Sequence, residues 1–213
     1  MRWTRGCVTL FLCASLSACT AVSGGGGGAS PLRPTVRPGT TASGTDLGGA
    51  ALAARDVDGL TVSEADGRPE VRVALPACAP LAYALSGEAV GDPTATVEHR
   101  LSGDGATVTA ILAEYPSGRA PTAMDALGTA LDECADGFTT TVDGEEHKVG
   151  DVVPQLVPEG VEQAMGWQAT VNRAGRSVPV KTVVLRVGDT VAYLSGTPAL
   201  PAAVLQAQMT KLS

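Results

Sequence analysis

Aromatic residues are scarce in this 213-residue chain, only 3%: two Trp, two Phe and three Tyr. Aromatic rings supply the flat apolar faces on which sugars stack. Beyond the first few dozen positions only Trp167, Phe138, Tyr83, Tyr115 and Tyr193 remain, too few for a carbohydrate platform. Trp167, next to Gly166, reads either as a core anchor or as a pocket wall. Histidine is rarer still, with His99 and His147 alone. There is no Cys-x-x-Cys, so a zinc site lacks its ligand set, and no metal or cofactor is expected. Catalytic motifs are missing as well. Ser195 lies in Leu194-Ser195-Gly196 and Ser117 in Pro116-Ser117-Gly118. Neither is a Gly-x-Ser-x-Gly or a Ser-x-x-Lys. His99 is flanked by Glu98 and Arg100, and His147 by Glu146 and Lys148, the pattern of a solvated strand face. Asp132-Glu133 are helix neighbours that do not face one pocket, and Asp56-x-Asp58 is too sparse for calcium. No enzyme is expected.

Basic charge is also in short supply, 15 Lys and Arg against 22 Asp and Glu. Two of the arginines, Arg2 and Arg5, fall in residues 1–18, so the rest carries 13 against 22, a balance of −9. That excludes nucleic acid as a partner and docking on anionic lipid through charge. Long apolar runs are absent. The one at 8–16 is far shorter than the roughly 20 residues of a spanning helix.

That short run has a role nonetheless. Arg2 and Arg5, the apolar stretch and then small residues make a secretory signal. It ends in Leu16-Ser17-Ala18-Cys19, which resembles a bacterial lipobox. Cleavage after Ala18 leaves Cys19 to carry diacylglycerol through a thioether. Each buried CH₂ contributes about 0.8 kcal/mol, and two chains hold where one does not. Residues 1–18 are expected to be the lipoprotein signal peptide, and residues 19–45 the lipid-bearing Cys19 and its tether. Gly24–Gly28 cannot recover ordering entropy by burial, and Pro31, Pro34 and Pro38 stiffen the second half of the tether. The glycine run lacks the Lys-Ser/Thr of a phosphate loop. Residues 46–213 are expected to form a single extracytoplasmic domain, lipid-anchored at the outer face of the cell membrane.

Of five cysteines, Cys7 and Cys13 leave with the signal peptide and Cys19 is acylated. Cys78 and Cys134 remain, an even pair in an oxidising compartment, and are predicted to form a disulfide. The competing reading is two buried free thiols. Periodicity predicts short helices near 46–54 and at 78–86, the latter stopped by Gly87. Strands come next at 94–101 and 107–115 around Ser102-Gly103-Asp104-Gly105. A helix over 122–136 carries Met124, Leu127, Leu131 and Cys134 on one face, with Thr122 and Asp125 as a capping box. Strands at 138–142 and 145–149 flank Asp143-Gly144. A meander at 163–172, 177–187 and 190–195 turns at Gly175 and at Gly188-Asp189. A last helix runs from Thr197-Pro198 to Leu212, with Leu200, Val204, Leu205, Ala207 and Leu212 on its apolar side. The fold class is α+β, an antiparallel sheet with helices packed on one face and one disulfide.

Three segments taken together resemble a known family: Ala77-Cys78-Ala79-Pro80-Leu81, the helix from Ala126 to Cys134 with Gly137-Phe138, and the hairpin from Val183 to Ala192. They are similar to the PknH-like extracellular sensor domain of actinobacteria. It occurs on a transmembrane serine/threonine kinase and as free-standing small lipoproteins. The resemblance spans residues 46–213 and implies a disulfide-stapled α+β domain with a cleft for a small ligand. Family members can carry two disulfides, whereas this chain has one candidate pair and no kinase domain, so signalling is not carried over. The expected function is a non-enzymatic, monomeric binding or sensor module held at the membrane by acylated Cys19. Its partner is a small ligand. The alternative is a structural lipoprotein that docks another cell-envelope protein.

Overall fold

Valine-rich runs broken by Asp-Gly and Gly-Asp pairs dictate the architecture. In the computed structural model of the chain, which describes residues 46–65 and 67–213, these runs become an antiparallel sheet. The signal segment, Cys19 and the tether lie outside the described residues. The strands are β1 (Thr61–Glu64), β2 (Val71–Val73), β3 (Ala95–Gly103), β4 (Ala106–Glu114), β5 (Phe138–Val142), β6 (Glu145–Pro154), β7 (Gln163–Arg173), β8 (Arg176–Val187) and β9 (Thr190–Thr197). Their nine-stranded order is β1-β3-β4-β9-β8-β7-β6-β5-β2. Hairpin turns fix the register. Asp104-Gly105 and Asp143-Gly144 take φ of 51° and 73°, and of 51° and 83°. This left-handed pair matches the twist of the flanking strands.

The helices are α1 (Leu47–Ala50), α2 (Ala79–Ser86), α3 (Ala120–Glu133) and α4 (Ala202–Leu212), with a single 3₁₀ turn at Pro76–Cys78 leading into α2. α2 stops at Gly87, whose φ of 86° closes the C-cap. α3 buries Ala123, Met124, Leu127 and Ala130 at helical spacing. The expected Thr122–Asp125 capping box does not form: Arg119 is the N-cap and makes no side-chain cap bond. Pro121 sits comfortably in the first turn and lets the helix begin earlier. α4 starts later than its periodicity predicts. Pro198 and Pro201 push the residues before them toward extended backbone, so β9 runs on to Thr197 and the helix opens only at Ala202.

The central strands β4, β8 and β9 are apolar on both faces. Ile111, Ala113, Val184, Val191 and Tyr193 project into one core, and Val108, Leu112, Val183, Leu185 and Leu194 into another. A sheet greasy on both sides must be covered twice. Helices α2 and α3 cover the first face, stapled by the disulfide Cys78–Cys134 with Cα atoms 5.8 Å apart. The antiparallel α+β class and the disulfide are as expected, but the helices do not share one face. Leu47, Ala50 and Val204, from α1 and α4, complete the second core.

The two edge strands, β1 and β2, are consecutive in sequence yet lie at opposite ends of the sheet. Val71 comes seven residues after Glu64, a reach of at most about 25 Å. Nine strands laid flat would be about 38 Å across. The sheet must therefore curl, drawing its edges together over the α2–α3 face. The crossing is tied down at its far end. Glu70 N–H donates to Asp143 Oδ1 (2.8 Å) and Asp143 N–H donates to the Glu70 carbonyl (3.0 Å).

Candidate functional site

The curl leaves a cleft of about 450 Å³ between the approaching edges. Glu98 and Arg100 of β3 point the same way, two residues apart, and Thr109 of β4 is registered opposite Arg100. The end of α2, at Leu85 and Ser86, makes one wall. Across the gap stand Asp143, in the β5–β6 turn, and Arg173, at the end of β7. The crossing segment adds Arg68, whose guanidinium donates to Thr96 Oγ1. A smaller hollow of about 150 Å³ shares Arg68 and Glu98 and extends the cleft toward Glu88.

Charge in this cleft is unevenly satisfied. Elsewhere Arg72 pairs with Glu70, Arg186 with Glu162 and Lys211 with Asp56. Among the described residues, Arg68, Arg100 and Arg173 form no ion pair. Burial pushes the Glu98 carboxyl above its usual range; Arg100 and Arg68 pull it back and Glu88 adds to the rise. Burial also raises Glu88, with Arg68 opposing and Asp143 reinforcing. Low-dielectric surroundings disfavour the charged carboxylate, which is the origin of both shifts. One oxygen of Asp143 is already engaged by Glu70 N–H.

Beneath the cleft, hydroxyls fasten the scaffold. Ser195 Oγ donates to the Ala84 carbonyl (2.9 Å) and lies 2.9 Å from Thr182 Oγ1, locking α2 to β9 and β8. Tyr115 OH donates to the Val90 carbonyl (2.6 Å), Tyr193 OH sits 2.6 Å from it, and Val90 N–H donates to Tyr193 OH (3.3 Å). These bonds hold the loop that leaves α2. Burial raises the pKa of both phenols.

The structure disperses the residues with catalytic potential. Ser195 is buried with its hydroxyl committed. His99 faces the opposite side of the sheet, where Nδ1 donates to the Leu52 carbonyl (2.8 Å). His147 is not on a solvated face as expected: strand alternation turns it inward with Val149, only 8% exposed, and Glu145 lies 3.8 Å away. Ser117 is exposed on a turn. Trp167 is wholly buried and is core, not pocket wall. Asp56 accepts Ala53 N–H (2.7 Å) and Lys211 Nζ (3.1 Å). Among the described residues no cluster of three or more His, Cys, Asp or Glu could hold a metal, and no helix is long and apolar enough to cross a membrane. Sequence reasoning missed the set formed by Arg68, Glu98, Arg100, Asp143 and Arg173. Glu98-x-Arg100 carries the strand alternation, but its meeting with Arg173 depends on the curl.

No family model and no curated protein matches this chain. Solved structures do. The extracellular domain of PknH from Mycobacterium tuberculosis aligns with a TM-score of 0.50 at 12% identity, over 75% of this chain and 86% of that one. An uncharacterised Mycobacterium smegmatis protein, an ortholog of Rv0999, aligns with a TM-score of 0.40 at 15% identity, over 73% and 90%. The likeness to PknH is one of fold: this chain has the fold of that extracellular domain, the resemblance its sequence carries.

Proposed function

We propose that this chain is an extracytoplasmic binding module of sensor type, held at the membrane by acylated Cys19, that takes a small polar ligand in the cleft between the curled edges of its sheet. The carrying observation is the cleft itself, where Arg68, Arg100 and Arg173 form no ion pair among the described residues. Concave sites with a few convergent polar groups are where ligands bind. The disulfide and the hydroxyl bonds preform the site, which lowers the ordering cost of binding. A non-enzymatic role is supported by the separation of Ser195 from His99 on opposite faces of the sheet. Fold-level analogy with an extracellular domain favours an extracytoplasmic setting.

Native mass spectrometry of the full-length lipoprotein, extracted in detergent from an actinobacterial host, tests the reading. Extra mass that survives gentle conditions and leaves on activation supports it. Cys19→Ala should shift the protein from the membrane to the soluble fraction, and retention in the membrane would place the anchor elsewhere. A second reading, docking of another envelope protein, draws on Leu156 and Val153, apolar side chains 99% and 51% exposed. It gains if only bare polypeptide is detected and in-cell crosslinking captures a partner through these residues.

A further inference from the structure

We propose that the cleft selects phosphate-bearing small molecules, with the phosphate seated between Arg68, Arg100 and Arg173. The inference rests on the binding-module reading and names the ligand class for that same site. Only 13 basic residues lie beyond the signal peptide against 22 acidic ones, yet three of them line one cleft. They arrive from three remote parts of the chain: the crossing segment, β3 and the end of β7. Guanidinium groups match oxyanions through paired, directional N–H donors, which is why arginine marks phosphate sites. Arg100 and Arg173 make no side-chain hydrogen bond to a described residue, so their donors are free to turn toward a ligand. Arg68 is positioned by Thr96.

The opposing negative charge is smaller: two carboxylates, Glu98 and Asp143, line the same cleft. Asp143 spends one oxygen on Glu70 N–H, and burial disfavours the ionised form of Glu98. Three arginines against two carboxylates leave this cleft net positive and favour an anionic ligand. The volume, about 450 Å³, exceeds what a bare phosphate fills and leaves room for an attached organic group. Ser86, Thr109 and the carboxylates are placed to contact that remainder.

Calorimetric titration of the full-length lipoprotein in detergent tests this with four probes: inorganic phosphate, glycerol 3-phosphate, dibutyryl phosphatidic acid and uncharged glycerol. Both phosphomonoesters should bind, glycerol should not, and added salt should weaken binding. Binding of the short-chain lipid alone would identify a lipid headgroup as the source; equal binding of both would identify the phosphate ester itself. Arg100→Ala and Arg173→Ala should each weaken binding by about tenfold or more, the loss of one charge-assisted contact, and Arg173→Glu should abolish it. Both side chains are exposed and make no bond to a described residue, so the unfolding midpoint should stay at the wild-type value and separate lost binding from lost fold. Unchanged affinity in the arginine variants, or glycerol binding as well as its phosphate, overturns the proposal. If native mass spectrometry retains an uncharged ligand while every phosphate fails, the phosphate inference falls and the binding-module reading stands. If nothing small is retained at all, both fall.

Discussion

The two faces of the sheet use the same polar residue types to opposite ends. On the face covered by α1 and α4, charge is spent as fastening. Asp56 holds Ala53 N–H, and Lys211 joins Asp56 to the Gly49 carbonyl (3.0 Å). Gln208, fully buried in an apolar stripe, donates to the Ala50 carbonyl (3.0 Å). On the face covered by α2 and α3, neutral hydroxyls do the fastening, and Arg68, Arg100 and Arg173 line the cleft without an ion pair among the described residues. The ionisable groups shift accordingly. Asp56 is held below its usual range, first by the Ala53 amide, whereas burial lifts Glu98 and Glu88.

Four perturbations test this contrast, in descending order of effect. Replacing Cys78 and Cys134 together with Ser removes the staple of the cleft face. The chain-entropy model gives about 4 kcal/mol for a loop of this length, or a fall in Tm of roughly 10 °C for a domain of this size, read by differential scanning calorimetry. Gln208→Ala strips the Ala50 carbonyl of its donor on the other face and should cost about 1–3 kcal/mol in denaturant unfolding; no loss would show that this bond is not structural.

The remaining two are pH experiments of opposite sign. The folded pKa of Asp56 lies below the ordinary aspartate value of 3.8. Its contribution is therefore complete above that value and is lost as pH falls through the folded pKa. Asp56→Asn should destabilise by at most about 1 kcal/mol at neutral pH, and the gap from wild type should close in acid. Glu98 has its folded pKa above the ordinary glutamate value of 4.5. Ionising it opposes folding at neutral pH, and the penalty vanishes as pH falls below that value. Glu98→Gln should thus match or slightly exceed wild-type stability at pH 7 and lose that advantage in acid, while glycerol 3-phosphate binds more tightly. Parallel pH behaviour in the two variants would dissolve the distinction between the faces.

Much of the architecture was legible in local sequence. Asp104-Gly105, Asp143-Gly144 and Gly188-Asp189 mark hairpins because few other residues take those turns, and Met124 with Leu127 marks α3. The parity of Cys78 and Cys134 marks the disulfide. β2 was not legible, since Val71–Val73 is too short to show alternation and gains its place only by pairing with β5. Nor was the second layer of helices, which arises from β4, β8 and β9 being apolar on both sides. Gln208 lay hidden in a stripe read as apolar, and His147 in a run read as exposed. The cleft was illegible for a different reason: Arg68, Glu98 and Arg173 share no motif, and only the long-range closure of the sheet makes them neighbours.

The six-residue crossing from β1 to β2, seven Cα steps long, acts as the chord of an arc. With a chord of at most about 25 Å and an arc of about 38 Å, the sheet must bend through nearly a half-turn, and the jaw of the cleft can open no wider than this string allows. Its second half is tied to Thr96 through Arg68 and to Asp143 through Glu70. A cleft strung in this way has its widest gape set by covalent chain length rather than by packing.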